Sequence, residues 1–361
     1  MNIAVVGVGT IGSRHASNLR DAGHGVLTID PAAAADASDL GRISRRRVSS
    51  LDAWVVSSPT DTHLETLRRI LELQADARVL LEKPAVCPAQ IAELTALLHG
   101  HPDASVRVNN VYGHSEAVGA FSRAVHRIAV DDPIRSVTVE FTKNRLADVA
   151  AGRFVDRDYG EIGYEWFHMM AVLRRVLPRR EYRSFLATDP AEVTDEIRVR
   201  GVGPDFPRID LYASMRGVIG FPRLAMGAFA SPESRRRIAT ARIPYGCSLR
   251  YRTAHVRFAS GAQAGLVFEP GHGVSEGYRN CHAVHVRSRT GARRTTEIRG
   301  NQLKDAVLAQ LALLTGASGV CRTEIYRPEH EYMAALARSL APWPASTRSP
   351  RPPNGTKKVT T

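Results

Sequence analysis

Over roughly the first 125 residues, short apolar runs alternate with stretches of helical periodicity. Asn2 to Val6, Gly25 to Ile29, Ala53 to Ser57, Arg78 to Leu81 and Ser105 to Asn109 read as buried strands. Between them Ser13 to Ala22, Thr62 to Leu73 and Pro88 to Leu98 read as helices, the last with a proline in its first turn. This alternation predicts an α/β domain over residues 1–125, built on a doubly wound parallel sheet. Beyond Pro133 the texture changes. Ile134 to Thr142 alternates apolar and polar residues, as a half-solvated strand does. Similar runs recur at Ile209 to Met215, Leu224 to Phe229, Cys247 to Phe258, Gln263 to Phe268 and Ala283 to Arg289, with a strong helix from Glu165 to Val176. They predict an α+β domain over 126–341 on a largely antiparallel, open-faced sheet, one face of which covers a ligand. A last helix, Pro328 to Leu340, is expected to return to the first domain. Residues 342–361, rich in Pro, Ser, Thr and basic side chains, read as a disordered tail. The chain shows no internal repeat.

The 361 residues, 43% apolar and 24% charged, suffice for two cores of an ordinary soluble type. No apolar run approaches the roughly 18 residues of a membrane span, and the N-terminus lacks a signal-peptide layout. The expectation is a cytoplasmic protein with no membrane partner. Cys87, Cys247, Cys281 and Cys321 lack CxxC spacing and read as reduced thiols. The formal charge of +13 raises a nucleic-acid partner. The excess is arginine in short scattered clusters (Arg45 to Arg47, Arg235 to Arg237), with no basic stripe interleaved with aromatics, so no nucleic-acid partner is expected.

The first strand runs into Gly7-Val-Gly9-Thr10-Ile11-Gly12. Gly7 allows the tight turn, Gly9 admits a pyrophosphate to the backbone, and Gly12 lets the next helix approach the strand and offer its N-terminal N–H groups. The second strand ends in Asp30, close to the spacing at which a carboxylate accepts from ribose hydroxyls. That spacing weighs against a glycine-rich turn without a ligand. An acid there repels a 2′-phosphate, so NAD is expected rather than NADP.

Ligands of an open α/β sheet lie outside the carboxyl ends of its strands. Two further segments end strands there. Ser57-Ser58-Pro59 is placed to wrap the nicotinamide half of a dinucleotide, and His63 either joins it or merely opens a helix. Glu82-Lys83-Pro84 sets a charged pair where the reacting carbon would lie; the bland alternative is a surface ion pair. Asn110 and Tyr112 follow the strand at Ser105 and either meet substrate hydroxyls or form a plain loop. Lys143 and Arg145 end the strand at Ile134 and suit an anionic substituent. Cys281-His282-x-x-His285 puts its histidines on opposite faces of a strand without further ligands nearby, so no metal is expected.

In order and separation, Gly7-Val-Gly-Thr-Ile-Gly12-Ser-Arg-His15, Val56-Ser-Ser-Pro59-Thr-Asp-Thr-His63 and Leu81-Glu82-Lys83-Pro84 resemble the Gfo/Idh/MocA family (glucose–fructose oxidoreductase, inositol dehydrogenase and their kin), strongly over residues 1–125. The resemblance implies a Rossmann domain and NAD(P)-dependent transfer of hydride at a carbinol or keto carbon of a sugar, aminosugar, sugar nucleotide or cyclitol. It implies a homodimer or homotetramer, and it makes Lys83 catalytic or substrate-binding. The family usually adds an Asp-x-x-x-His constellation in the second domain. Here His168 fits, but Tyr164 stands in the aspartate's place, Ala171 replaces a later one, and Glu165 is displaced by one helical position, about 100° around the axis. The proton-transfer partner is therefore open. Independently, a histidine titrates near neutral pH and a lysine beside an oxidised nicotinamide loses proton affinity, so His168 and Lys83 flanking a C–O bond suit this chemistry. The rival is a non-catalytic dinucleotide-binding regulator on the same scaffold.

Overall fold

The structure, a computed structural model, describes residues 1–32, 34–153, 155–188, 198–224, 232–270, 279–316 and 323–340. The first part runs β1 (Asn2–Val6), α1 (Thr10–Arg20), β2 (Gly25–Ile29), α2 (Arg45–Val48), β3 (Ala53–Val56), α3 (His63–Leu73), β4 (Arg78–Leu81), α4 (Ile91–His99) and β5 (Ser105–Val108). Its strands are all parallel, in the order β2-β1-β3-β4-β5. The chain reverses direction across the sheet between β1 and β3, which opens a crevice at their carboxyl ends.

The second part runs α5 (Glu116–Ala129), β6 (Ile134–Lys143), α6 (Leu146–Ala150), α7 (Ile162–Val176), α8 (Arg179–Leu186), β7 (Arg198–Gly203), β8 (Phe206–Ser214), α9 (Pro232–Ala239), β9 (Arg250–Phe258), β10 (Gln263–Phe268), β11 (Cys281–Arg287), β12 (Arg293–Arg299), α10 (Gln302–Thr315) and α11 (Arg327–Ser339). The sheet order is β12-β11-β10-β9-β6-β8-β7. Every pairing is antiparallel except β6 with β8. Val137, Val139, Phe141, Ala254, Val256, Leu266 and Phe268 line its inner face, in one core with α5 and α7. On the opposite face Ile219, Ile238 and Ile243 cap Tyr251 and Val267.

The strands expected from alternation are present, except that Leu224 to Phe229 lies outside the described residues from 225 onward. Cys321 and the tail from residue 341 lie outside them too. β7 and β12 were not signalled, because Arg198–Gly203 is short with two glycines and Arg293–Arg299 is a charged run. Both are edge strands, where arginine and lysine discourage further pairing.

The return to the first domain is larger than expected. Ile3, Val5, Ala53, Val55 and Leu80 form one face of the parallel sheet, and Val307, Leu311 and Leu314 of α10 seal it beside Ala16 and Leu19. α11 also reaches back, where the Ala85 N–H donates to His330 Nε2 at 2.9 Å. Among the described residues, no helix is long and apolar enough to cross a membrane.

Candidate active site

At Gly7 the chain leaves β1 with φ +85°, and a Cβ there would strike the Ser58 backbone. A Cβ on Gly12 would collide with the Gly7 carbonyl. A Cβ on Gly9 would meet nothing within 4 Å. The backbone is thus open at the one glycine assigned to the pyrophosphate. α1 starts there with Gly9 as its N-cap, without a side-chain cap and without an acid in its first turn. Its leading N–H groups, near Thr10 and Ile11, are left for an anion. Asp30 accepts from Val8 N at 2.6 Å and Ala32 N at 2.8 Å, which ties the loop to the end of β2. The residues present fit a dinucleotide.

Several residues expected to touch that ligand also brace the loops around it. Ser57 Oγ is buried and donates to the Gly7 carbonyl at 2.8 Å. Ser58 Oγ accepts from Thr62 Oγ1 at 2.8 Å, one step beyond the turn at Pro59. His63 is 1% exposed, with Nε2 2.8 Å from the Ser58 carbonyl and Nδ1 3.1 Å from those of Pro84 and Ala85. It fastens the turn after β3 to the loop after β4. The Asn110 side chain accepts from Gly113 N at 2.8 Å and so closes its own turn.

The Glu82 carboxylate is buried among protein donors. It accepts from His15 Nε2 at 2.7 Å and from Asn109 Nδ2 at 2.5 Å. Burial opposes its charge, but the His15 hydrogen bond and charge, with Asn109, hold it down at about 2. Gln310 of α10 extends the chain, donating to Asn109 Oδ1 at 2.9 Å and accepting from Asn110 N at 3.0 Å. Lys83, joined to Pro84 by a cis peptide, projects the other way. Its Nζ donates to the carbonyls of Gly163 and Tyr164, both at 2.9 Å, in the first turn of α7. Burial lowers Lys83 to about 8 against the opposing charges of Glu82 and Glu165. An ammonium has three donors, and these bonds use two.

His168 lies one turn further along α7 than Tyr164. Burial and then the Lys83 charge keep its pKa well below the ordinary histidine value, and its Nδ1 is buried with no partner. Tyr112 packs on it, ring centroids 4.8 Å apart. The Tyr112 hydroxyl accepts from Arg252 Nη1 at 2.9 Å. Tyr164 carries the guanidinium of Arg145 over its ring at 5.1 Å.

Glu165 is 3% exposed and fully engaged, by Arg145 Nη2 at 2.5 Å and by Arg252 Nη2 at 2.8 and 2.9 Å. Burial works against its charge, and the two guanidiniums keep its pKa low. Any hold it has on a ligand therefore runs through arginines. Arg252 was not anticipated. The signal available was alternation: Arg250 and Arg252 are two apart on β9, so both face inward with Phe141 and Lys143, their register partners on β6. His282 and His285 sit on opposite faces of β11, bonded to Gln302 and Thr295. Among the described residues no group of three or more His, Cys, Asp or Glu side chains is arranged for a metal ion.

A glycine turn at the switch point of a five-stranded parallel sheet, followed by a second, mostly antiparallel sheet, makes this an α/β protein with a Rossmann-like first sheet. Residues 1–111 match the Gfo/Idh/MocA model, described as an oxidoreductase family with an NAD-binding Rossmann fold. No curated protein matches the sequence. Solved structures share the whole fold. The WlbA (WbpB) dehydrogenase of Thermus thermophilus, in complex with NAD and UDP-GlcNAcA, is 16% identical, with 95% of this chain and 96% of that one covered and a TM-score of 0.58. KijD10, a 3-ketoreductase of Actinomadura kijaniata in complex with TDP-benzene and NADP, is 13% identical over 94% and 96%, with a TM-score of 0.59. The UDP-N-acetylglucosamine 3-dehydrogenase GnnA of Acidithiobacillus ferrooxidans is 14% identical over 94% and 96%, also at 0.59.

Proposed function

We propose that this protein is an NAD-dependent oxidoreductase that moves hydride between nicotinamide and a carbinol or keto carbon of a sugar, aminosugar, sugar nucleotide or cyclitol. The observation that carries this reading is Lys83, half-buried at the end of β4 and lowered to about 8, with Nζ on the Gly163 and Tyr164 carbonyls one turn before His168 on α7. A regulator that only bound dinucleotide would have no use for a lysine tuned toward neutral pH in such a place. The dehydrogenases and ketoreductase that share the fold act on, or were crystallised with, nucleotide-linked ligands, which favours a sugar-type substrate.

The bound cofactor supplies the hydride acceptor in oxidation and the donor in reduction. The protein's share is the proton. In oxidation the hydroxyl hydrogen passes to the Lys83 amine as the carbonyl forms; in reduction the ammonium returns it. A proton-transfer group works best when its pKa lies near the working pH, and Lys83 meets that condition better than His168. His168, kept neutral by burial and by the lysine, holds the same oxygen by a hydrogen bond. Burial raises the Tyr164 pKa above the ordinary phenol value, so its hydroxyl stays protonated. The homodimer or homotetramer that the family resemblance implies is checked by light scattering of the purified chain.

The test is absorbance of the reduced nicotinamide during incubation with NAD and a panel of sugars, aminosugars, sugar nucleotides and cyclitols. Turnover of at least one class, lost in Lys83→Ala, is expected. Tight NADH binding with no turnover of any panel member in either direction would overturn the reading in favour of a regulator.

A further inference from the structure

The substrate wall holds more positive charge and more idle donors than a neutral polyol requires. Arg145 Nε, Arg250 Nε and Arg252 Nε are each buried without a hydrogen-bond partner, as is His168 Nδ1. Buried donors of this kind are normally satisfied, and guanidinium N–H groups left in this state cost more than most. The three guanidinium donors, on arginines that neighbour one another through Glu165 and along β9, point to an acceptor that arrives with the ligand.

The charges agree. Arg145 and Arg252 share one carboxylate, Glu165. Lys143 Nζ pairs with Asp148 at 2.6 Å, a carboxylate that also lies 3.5 Å from Arg145 Nη1. Arg250 has Glu269 at 3.6 Å and stands next to Lys143 across the β6–β9 register. Four cations thus face three carboxylates before Lys83 is considered. The strain of this crowding is visible at Arg250, which burial and then the neighbouring Arg252 charge lower to about 10. Lys143 is lowered by burial, and Arg145 and Arg250 add to that.

We infer that the substrate carries an oxyanion, a carboxylate or a phosphate ester, which the Arg250–Arg252–Lys143 edge of the site receives while Lys83 and His168 meet the reacting C–O group. Guanidinium groups offer paired donors that match either anion, and such charge-assisted bonds are about twice as strong as neutral ones. An anion here would satisfy the idle Nε donors and remove the surplus charge in one step. The inference rests on the oxidoreductase reading for its geometry, but its test separates the two.

The probes are D-glucuronate and D-glucose 6-phosphate against neutral D-glucose, titrated into the NADH-loaded protein by calorimetry, with turnover followed in parallel. At least one acid should bind about tenfold or more tightly than glucose. Whether glucuronate or the phosphate ester binds distinguishes the two sources of the oxyanion. The preference should fall by about the same factor in Arg250→Met and, as a second variant, in Lys143→Met, with melting temperature recorded for each. Equal binding of acid and neutral sugar, or an acid preference untouched in folded forms of both variants, overturns the oxyanion site while leaving the oxidoreductase reading standing. Acid binding that both variants abolish, without turnover of any sugar, supports the site and counts instead against the reaction assigned above.

Discussion

On the cofactor side of the crevice, main-chain atoms set the shape. Gly7 and Gly12 are where they are because a Cβ would strike neighbouring backbone, and Asp30 and Ser57 spend their side-chain bonds holding that loop. On the substrate side the working surface is side chains, brought from β6, α7 and β9 and held by one another through Glu165. The first kind of wall is written in contiguous residues and tolerates little variation. The second is assembled from distant positions, so its members can change together without disturbing the fold. The contrast agrees with the family model's ending at residue 111 while the fold shared with solved structures extends over nearly the whole chain.

The sharpest way to break this comparison is Lys83→Ala, which removes the group at the junction of the two walls. A loss of about 10²–10⁴ in kcat is expected, the usual worth of a proton-transfer group. NADH affinity, read by fluorescence titration, should stay within about twofold. An equal loss in both would mean that Lys83 belongs to the cofactor wall alone.

Within that wall, Gly12→Ala and Gly9→Ala should part company. At Gly12 the new methyl overlaps the Gly7 carbonyl, so a cost of about 1–3 kcal/mol in stability and a loss of NADH binding are expected together. At Gly9 the methyl enters open space, so the melting temperature should hold while NADH affinity falls. A Gly9→Ala protein that binds NADH normally would remove the pyrophosphate from this loop.

Legibility followed the same division. The parallel strands, the glycine loop, Asp30 and Glu82-Lys83-Pro84 could be read because each is a local pattern with its own physical constraint. His168 and Glu165 were visible as candidates on one helix. What Glu165 does was not, because the guanidinium it binds most extensively is Arg252, from β9. The burial of Glu82 among protein donors was hidden for a similar reason: His15 and Asn109 lie on other elements. α10 was not read from the sequence at all, and nothing in its apolar residues says which sheet they cover. Gln310 is polar on that buried face, and its partners are more than half the chain away. Gln310→Leu would strand Asn110 N and Asn109 Oδ1, and a cost of about 1–3 kcal/mol is expected in denaturant unfolding. A neutral result would show that α10 is held by its apolar contacts alone.

The smallest expected effect is the most specific to how the two walls communicate. Glu82→Gln keeps an oxygen to accept from His15 and Asn109 but removes the charge that supports the Lys83 ammonium. The sign follows directly. A carboxylate raises the pKa of a nearby lysine, so its loss must move Lys83 below its present value of about 8. The alkaline-going rise of the oxidation rate, which tracks the neutral amine, should therefore shift to lower pH, by up to about one unit for a partly screened pair. Lys83→Arg, which cannot lose its proton in this range, should flatten the same limb. A limb that stays in place in Glu82→Gln, or moves upward, would mean that the group titrating in the rate is not Lys83, and the proton would have to be sought at His168.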